Sequence, residues 1–367
     1  MDQHTQRGLY QLVQPEKDLH DKEQDDAGTL PSSPRIWYTS TTDSWVRHLP
    51  IVATACLFLA TGFLLGKFAG RNGTLGQGPS TVVDIFDNLR NLPPVDLVKE
   101  YGLKPGDLTL YAKPLGKDIC LVNVDNRVWS PSSGLDKQDD LGWGRLNQYL
   151  YAQLHGYEYK YIQVPGQQGL HPTWVKVKEQ FRLTMEGKCK FVIVLDADII
   201  FHDLRIPLEA LMSYWNITND IALAGAQGWA KDLKGRHLLN TGFLISQKTP
   251  EFPNLMRDWI NCPTDVKYPN CSNWRYEWAH EQSALSEHVR YDYMNVIREM
   301  KALDVHSERG KFIKHYWGPA KVDLPMAAKK AIWNRFMPQV SESLVKEWKN
   351  HFVHVTSDEQ YDSLMHE

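Results

Sequence analysis

Phe191-Val192-Ile193-Val194-Leu195 is an uninterrupted apolar run that starts after Lys190 and stops on Asp196. A run this short, rich in β-branched and aromatic side chains and bounded by charge, reads as a strand buried on both faces. A strand apolar on both sides needs a layer over each side, which a sheet with one wet face does not supply. The neighbouring segments provide those layers. Ile119 to Val124 reads as a strand that ends at Asp125-Asn126, and Leu146, Tyr149, Leu150 and Leu154 recur at helical spacing before Gly156. Tyr159 to Val164 reads as a strand and Trp174 to Met185 as a helix closed by Gly187. Further strands are expected at Ile221 to Ala224 and Gly242 to Ser246, and helices at Phe252 to Ile260, Glu281 to Val289 and Ser341 to Trp348. Strands alternating with helices predict an α/β fold with a mostly parallel central sheet, and ligands in such folds bind at the carboxyl ends of the strands.

The central strand runs directly into Asp196-Ala197-Asp198. Side chains alternate along extended chain, so both carboxylates are expected to project to the same side. Two carboxylates held close repel and call for a cation. A hard divalent ion with oxygen ligands, Mn²⁺ or Mg²⁺, fits that need and leaves positions open for diphosphate oxygens. Haloacid-dehalogenase-type phosphatases also place two aspartates after a strand. They favour that strand first in the domain and Thr or Val two residues after the second aspartate, where this chain has Ile200 after several earlier elements.

Residues 49–66 contain no charged side chain and follow a long polar tail, the pattern of an uncleaved signal anchor. The span is short and suits a thin early secretory membrane. Sequons at Asn72-Gly73-Thr74, Asn216-Ile217-Thr218 and Asn270-Cys271-Ser272 all follow it, which places the body in the lumen. The expected organisation is a disordered cytosolic tail over 1–47, an anchor over 48–70, a luminal stem over 71–117 and a single catalytic domain over 118–367. A formal charge of -3 and a pI near 6.5 exclude the basic face of a nucleic-acid binder. Four cysteines follow the span, at 120, 189, 262 and 271, and they allow three pairings. Cys262 and Cys271 bracket a Pro-containing loop, which leaves a local disulfide or buried free thiols open.

Two other clusters carry polar side chains. His280-Glu281-Gln282 stands at the start of a helix, where first-turn amides favour anions. His351 and His354 flank Phe352-Val353, and an extended Phe352 to Val355 would send the two imidazoles to opposite faces.

In order, Leu146-Asn147-x-Tyr149-x-x-Ala152-x-x-His155-Gly156-Tyr157, Trp174-Val175-Lys176, Val194 to Asp198, Asn240-Thr241-Gly242-Phe243-Leu244-Ile245, Glu281-Gln282-Ser283-Ala284-Leu285 and His351-Phe352-Val353 resemble glycosyltransferase family 34. That group holds fungal α-galactosyltransferases and α-1,6-mannosyltransferases together with plant xyloglucan xylosyltransferases. The resemblance covers about 118–355. It implies a GT-A fold, a Golgi type II membrane protein and a Mn²⁺-dependent retaining transfer from a nucleotide sugar to a glycan acceptor. Residue by residue it implies Asp196 and Asp198 for metal and nucleotide, His351 as a further metal ligand, and Lys176, Asn240 and Gly242 toward the donor. Gln282 matches a position near the anomeric carbon and Glu281 an acceptor-contacting one. The family reads His-Phe-x-Gly-Cys at its last motif, whereas this chain has His354-Val355 in place of Gly-Cys. The resemblance leaves UDP-galactose ahead of GDP-mannose as donor. It also leaves a catalytically inactive partner of a glycosyltransferase complex as a rival from outside the enzymes.

Overall fold

The computed structural model describes residues 86, 90–91, 93–129, 135–305 and 307–351. The expected membrane span at 49–66 and the Phe352 to Val355 strand lie outside them. Among the described residues no helix is long and apolar enough to cross a membrane.

Eight strands and eight α-helices are described, with short 3₁₀ turns between them. The strands are β1 (Ile119–Asp125), β2 (Glu158–Gln163), β3 (Phe191–Leu195), β4 (Ile199–Phe201), β5 (Leu223–Lys231), β6 (His237–Gln247), β7 (Ile297–Met300) and β8 (Ile313–His315). The helices are α1 (Leu97–Tyr101), α2 (Asp140–His155), α3 (Val175–Glu186), α4 (Leu208–Tyr214), α5 (Phe252–Asn261), α6 (His280–Glu287), α7 (Ala302–Val305) and α8 (Leu324–His351). The main sheet has the order β2-β1-β3-β6-β5-β7, and β6 alone runs antiparallel to its neighbours. A mostly parallel sheet is therefore present, with β3 at its centre and every residue of Phe191–Leu195 buried.

Chain chemistry explains the boundaries. Asp139 caps α2 by accepting from the Gly142 amide, and Gly156, at φ 73°, ends the helix in the left-handed conformation. The buried face of α2 differs from the one its apolar spacing suggests: Asn147, Gln148, Tyr151 and Ala152 are buried, while Tyr149 is exposed. Polar side chains take core positions there because the loop they support offers backbone partners. Asn147 both donates to the Phe201 carbonyl (3.1 Å) and accepts from its amide (2.8 Å). Strand β5 runs on past its expected end to Lys231 and β6 begins earlier, at His237, since the two continue together as a hairpin.

The core also reaches further toward the N-terminus than composition suggests. Leu97 and Leu103 are buried in the main cluster, with Leu108, Tyr111 and Leu115 packed against it, so 93–117 is part of the folded body and not a stem. Gly and Pro in that segment serve turns, and the few apolar side chains between them suffice to dock it. Both cysteine pairs are bonded, Cys120 with Cys189 and Cys262 with Cys271. The first ties β1 to the residues leading into β3, and the second closes the loop after α5.

Candidate metal and sugar-transfer site

Asp196 and Asp198 stand at the carboxyl end of β3, but the chain there is not extended. The Ile199 amide donates to the Asp196 carbonyl at 3.1 Å, closing a turn over 196–199. The turn is held from three sides. Asn123 of β1 donates to the Leu195 carbonyl (2.9 Å), Gln148 of α2 to the Asp196 and Ile199 carbonyls (2.9 and 3.1 Å), and the Asp196 amide to the Gly242 carbonyl of β6 (2.8 Å). A Cβ on Gly144 would stand 1.9 Å from the Ala197 carbonyl oxygen, so only glycine lets α2 lie directly under the turn.

The third member of the cluster is His315. Expectation placed a histidine from the C-terminal end here, His351, but that residue closes α8 and it is His315 that the fold brings to the aspartates. The reason is register. β4 begins immediately after the turn and pairs antiparallel with β8, setting Ile199 opposite His315, and the Tyr316 amide donates to the Asp198 carbonyl at 2.9 Å. His315 Nε2 lies 3.1 Å from Asp198 Oδ1 and 3.9 Å from Asp196 Oδ2. One ligand atom from each of the three residues falls within 4.8 Å of the others. Among the described residues this is the one such group. One imidazole with two carboxylates is a hard nitrogen-and-oxygen donor set, fitted to Mn²⁺ or Mg²⁺. The ring is seated tightly: a Cβ on Gly242 would come within 2.3 Å of His315 Cε1. The sequence signal for His315 was slight, a three-residue strand, Ile313-Lys314-His315, with a single apolar side chain.

The electrostatics favour an ionised Asp198. Burial pushes the Asp198 carboxyl up, yet His315 and, further off, Lys321 (Nζ to Oδ2 3.9 Å) outweigh it and leave it below its usual range. Lys321 is half-exposed on the turn Gly318–Asp323 and faces the open side of the site. Behind Asp196, Lys176 of α3 is buried and reaches Asp196 Oδ1 at 2.8 Å and Glu281 Oε1 at 3.1 Å. Burial alone lowers its affinity for a proton, but the two carboxylates hold the ammonium above its ordinary value.

Glu281 and Gln282 stand in the first turn of α6 against β6. Glu281, expected at the acceptor, is only 2% exposed, and its Oε1 accepts from the Thr241 hydroxyl at 2.7 Å. Burial raises its carboxyl, while Lys176, Thr173 and Thr241 together bring it below the usual range. Gln282 is partly exposed, and its Oε1 accepts from the Thr241 amide at 3.2 Å. Asn240 Oδ1 accepts from the Gly242 amide at 2.9 Å, so Asn240, Thr241 and Gly242 tie the aspartates to α6. A break in register frees this buried stretch from strand pairing on the β5 side. Gly225 of β5 pairs with Leu244 and Ala226 with Asn240, leaving Thr241, Gly242 and Phe243 without partners on that side. Such bulges re-aim side chains beside active sites.

Two features went unread in the sequence. His171 and His280 stack face to face, with centroids 3.5 Å apart, beside Glu281. Burial, with the neighbouring His171, pushes His280 down to about 4. At the end of β1, Asp125 accepts from Arg127 (2.7 Å) and Arg145 (2.5 Å), and the Arg145 guanidinium lies 4.9 Å from the Trp129 ring and 5.2 Å from Tyr161. Burial raises the Asp125 carboxyl, but these guanidiniums hold it below its usual range. Trp129 and Tyr161 meet edge to face, forming an aromatic ledge beside the sheet's carboxyl edge.

No protein-family model matches the chain, and no curated protein matches it. Solved structures do superpose on it. A glycosyltransferase involved in the glycosylation of the major capsid of PBCV-1 is 11% identical, the match covering 57% of this chain and 98% of that one, with a TM-score of 0.42. The glycosyltransferase GlyE of Streptococcus pneumoniae TIGR4 is 13% identical over 61% of this chain and 64% of its own, with a TM-score of 0.36. An active-site mutant of LgtC is 11% identical over 57% and 95%, with a TM-score of 0.34. Overlaps of this size are partial.

Proposed function

We propose that this protein is a metal-assisted glycosyltransferase that moves a hexose, galactose by preference, from a nucleotide sugar to a glycan acceptor. The observation that carries the reading is the Asp196–Asp198–His315 group at the carboxyl edge of a mostly parallel sheet, with one partly exposed amide, Gln282, and one half-exposed cation, Lys321, close by. Ligands of such sheets bind at that edge. A divalent cation held by these three side chains supplies charge neutralisation for a diphosphate leaving group. Lys321 adds a mobile positive charge on the open side of the same group. The edge-to-face Trp129–Tyr161 pair offers aromatic surface for the donor's base, with Arg127 half-exposed beside it.

The chain's own groups favour front-face transfer with retention. Gln282 is a poor nucleophile, and its oxygen is oriented by the Thr241 amide. Glu281 is buried and bound to both Lys176 and Thr241, which suits a positioning residue and not an attacking carboxylate. The sugar–phosphate bond then loosens to an oxocarbenium-like state, the acceptor hydroxyl enters from the face the phosphate leaves, and the departing phosphate takes the acceptor's proton. The membership in family 34, the Golgi location and the anchor at 49–66 belong to the same proposal, supported by the ordered motifs, the sequons and the apolar span.

The test is direct. Purified protein from about residue 72 onward is incubated with Mn²⁺ and a panel of nucleotide sugars, with and without glycan acceptors. Transfer or donor hydrolysis that disappears in Asp198→Ala supports the proposal and names the donor. No turnover of any donor, with capture of a glycosyltransferase as partner, points to an inactive subunit. Phosphate release from a phosphoester in the absence of donor sinks the transferase reading.

A further inference from the structure

The surface carries two sites at which this chain itself can be modified, and they are independent of the chemistry at the aspartates. Asn216-Ile217-Thr218 and Asn270-Cys271-Ser272 have the acceptor pattern for N-linked glycans. In the folded protein both asparagines are exposed, while the residue after each is anchored in the interior, Ile217 at 1% and Cys271 at 0% exposure. Each side chain is therefore presented outward from a fixed turn. A second observation concerns the compartment: every cysteine outside the 49–66 run is paired, Cys120 with Cys189 and Cys262 with Cys271. Disulfides persist in oxidising compartments such as the secretory lumen, where lipid-linked oligosaccharides are consumed.

We propose that Asn216 and Asn270 are both attachment sites for N-linked glycans, and that closure of the Cys262–Cys271 disulfide limits modification of Asn270. In the transfer, the asparagine Nδ2 forms a bond to the anomeric carbon of a lipid-linked oligosaccharyl diphosphate. The carbon–oxygen bond to the diphosphate breaks, the diphosphate leaves as the anion, and the amide gives up one proton. At Asn270 the folded loop opposes this step. Cys271 is buried and bonded, the Ser272 hydroxyl donates to Asp265 Oδ2 at 2.6 Å, and the Ser272 amide donates to Asp265 Oδ1 at 2.7 Å. The nine-residue separation of Cys262 and Cys271 makes that loop close locally, without waiting for distant parts of the chain. Asn216 follows α4 in an open stretch with no such covalent closure. Both asparagines also sit at positive φ, 53° and 66°, a conformation Asn tolerates better than most residues. The alternative, that they are kept for the turn alone, makes Thr218 and Ser272 dispensable.

The experiment expresses the full chain in a eukaryotic secretory host and reads each peptide by mass spectrometry after enzymatic deglycosylation in heavy-oxygen water. Both asparagine peptides are expected to carry the label, and Asn216→Gln and Asn270→Gln each to remove one step of gel mobility. Thr218→Val keeps the turn asparagine and is expected to remove the Asn216 step as well. Cys262→Ser is expected at least to double occupancy at Asn270 with Asn216 unchanged. A reductant pulse on unsubstituted chain is expected to do the same, should the substituted chain be degraded. An Asn216 or Asn270 peptide without label overturns the assignment at that site. Equal Asn270 occupancy with open and closed loop overturns the disulfide limit. Neither result bears on donor turnover, which the Asp198→Ala comparison decides separately.

Discussion

Gly242→Ala is a one-methyl perturbation whose effect can be worked out from the geometry. The added Cβ would stand 2.3 Å from His315 Cε1 and 2.9 Å from both ring nitrogens. Carbon atoms pack best at about 3.5 Å, so the ring must retreat by roughly 1.2 Å. Gly242 lies in β6 and shows no positive φ, so crowding, not backbone strain, is the whole effect. His315 Nε2 sits 3.1 Å from Asp198 Oδ1, near the long end of a hydrogen bond, and such a retreat takes it out of reach. Misplacing a catalytic group by about 1 Å costs on the order of 10²-fold in rate, or about 2.7 kcal/mol. Stability should fall by about 1–3 kcal/mol, the usual cost of overpacking. The assay is a double-mutant cycle on Mn²⁺ affinity and donor turnover, with Gly242→Ala, His315→Ala and both together. If Gly242 acts through His315, the glycine substitution costs little more once the ring is gone. Full additivity of the two losses, or an unimpaired Gly242→Ala, would refute the reasoning.

Three further outcomes are expected. His315→Ala weakens Mn²⁺ binding measured by calorimetry while His351→Ala leaves it intact; the reverse pattern restores the C-terminal histidine to the site. Lys176→Met removes the buried cation between the buried Glu281 and the one-third-exposed Asp196 and should lower chemical-unfolding stability by about 3 kcal/mol, the low end for breaking a buried pair because solvent screens Asp196, whereas a loss under 1 kcal/mol contradicts the burial of Lys176 and Glu281. Acid should loosen the fold between about pH 6.5 and 4. His202 and His280 are both pushed down to about 4, by burial together with Lys314 and His171 respectively, so the unfolded chain binds more protons in that window and stability rises with pH across it. Thermal melts across that range should flatten in a His202→Gln/His280→Gln variant, and an unchanged slope would assign the acid sensitivity to other groups.

Much of the frame was legible in the residues. The boundaries of β3 follow from five apolar side chains between charges, and the ends of α2 and α3 from Gly156 and Gly187. Those features are local, fixed by burial on both faces and by the left-handed conformation glycine admits. The place of Asp196 and Asp198 at the carboxyl end of the strand follows in the same way. Their convergence, however, comes from a turn and not from the alternation of an extended chain.

Three features of the site depend on tertiary structure. His315 and Asp198 are 117 positions apart and meet because β4 and β8 pair in one register. Strands of three residues carry too little pattern to announce that pairing. The Thr241–Phe243 stretch loses its partners on the β5 side where β5 and β6 slip past each other, which neither strand shows alone. Glu281 is buried against Thr241 and Lys176 because α3 sets Lys176 between it and Asp196. The sequence by itself determined the α/β class, the central strand and the pair of acids at its end. Which histidine joins them, and that Glu281 is buried behind Lys176, only long-range packing decided, because contacts between distant segments leave no local period to read.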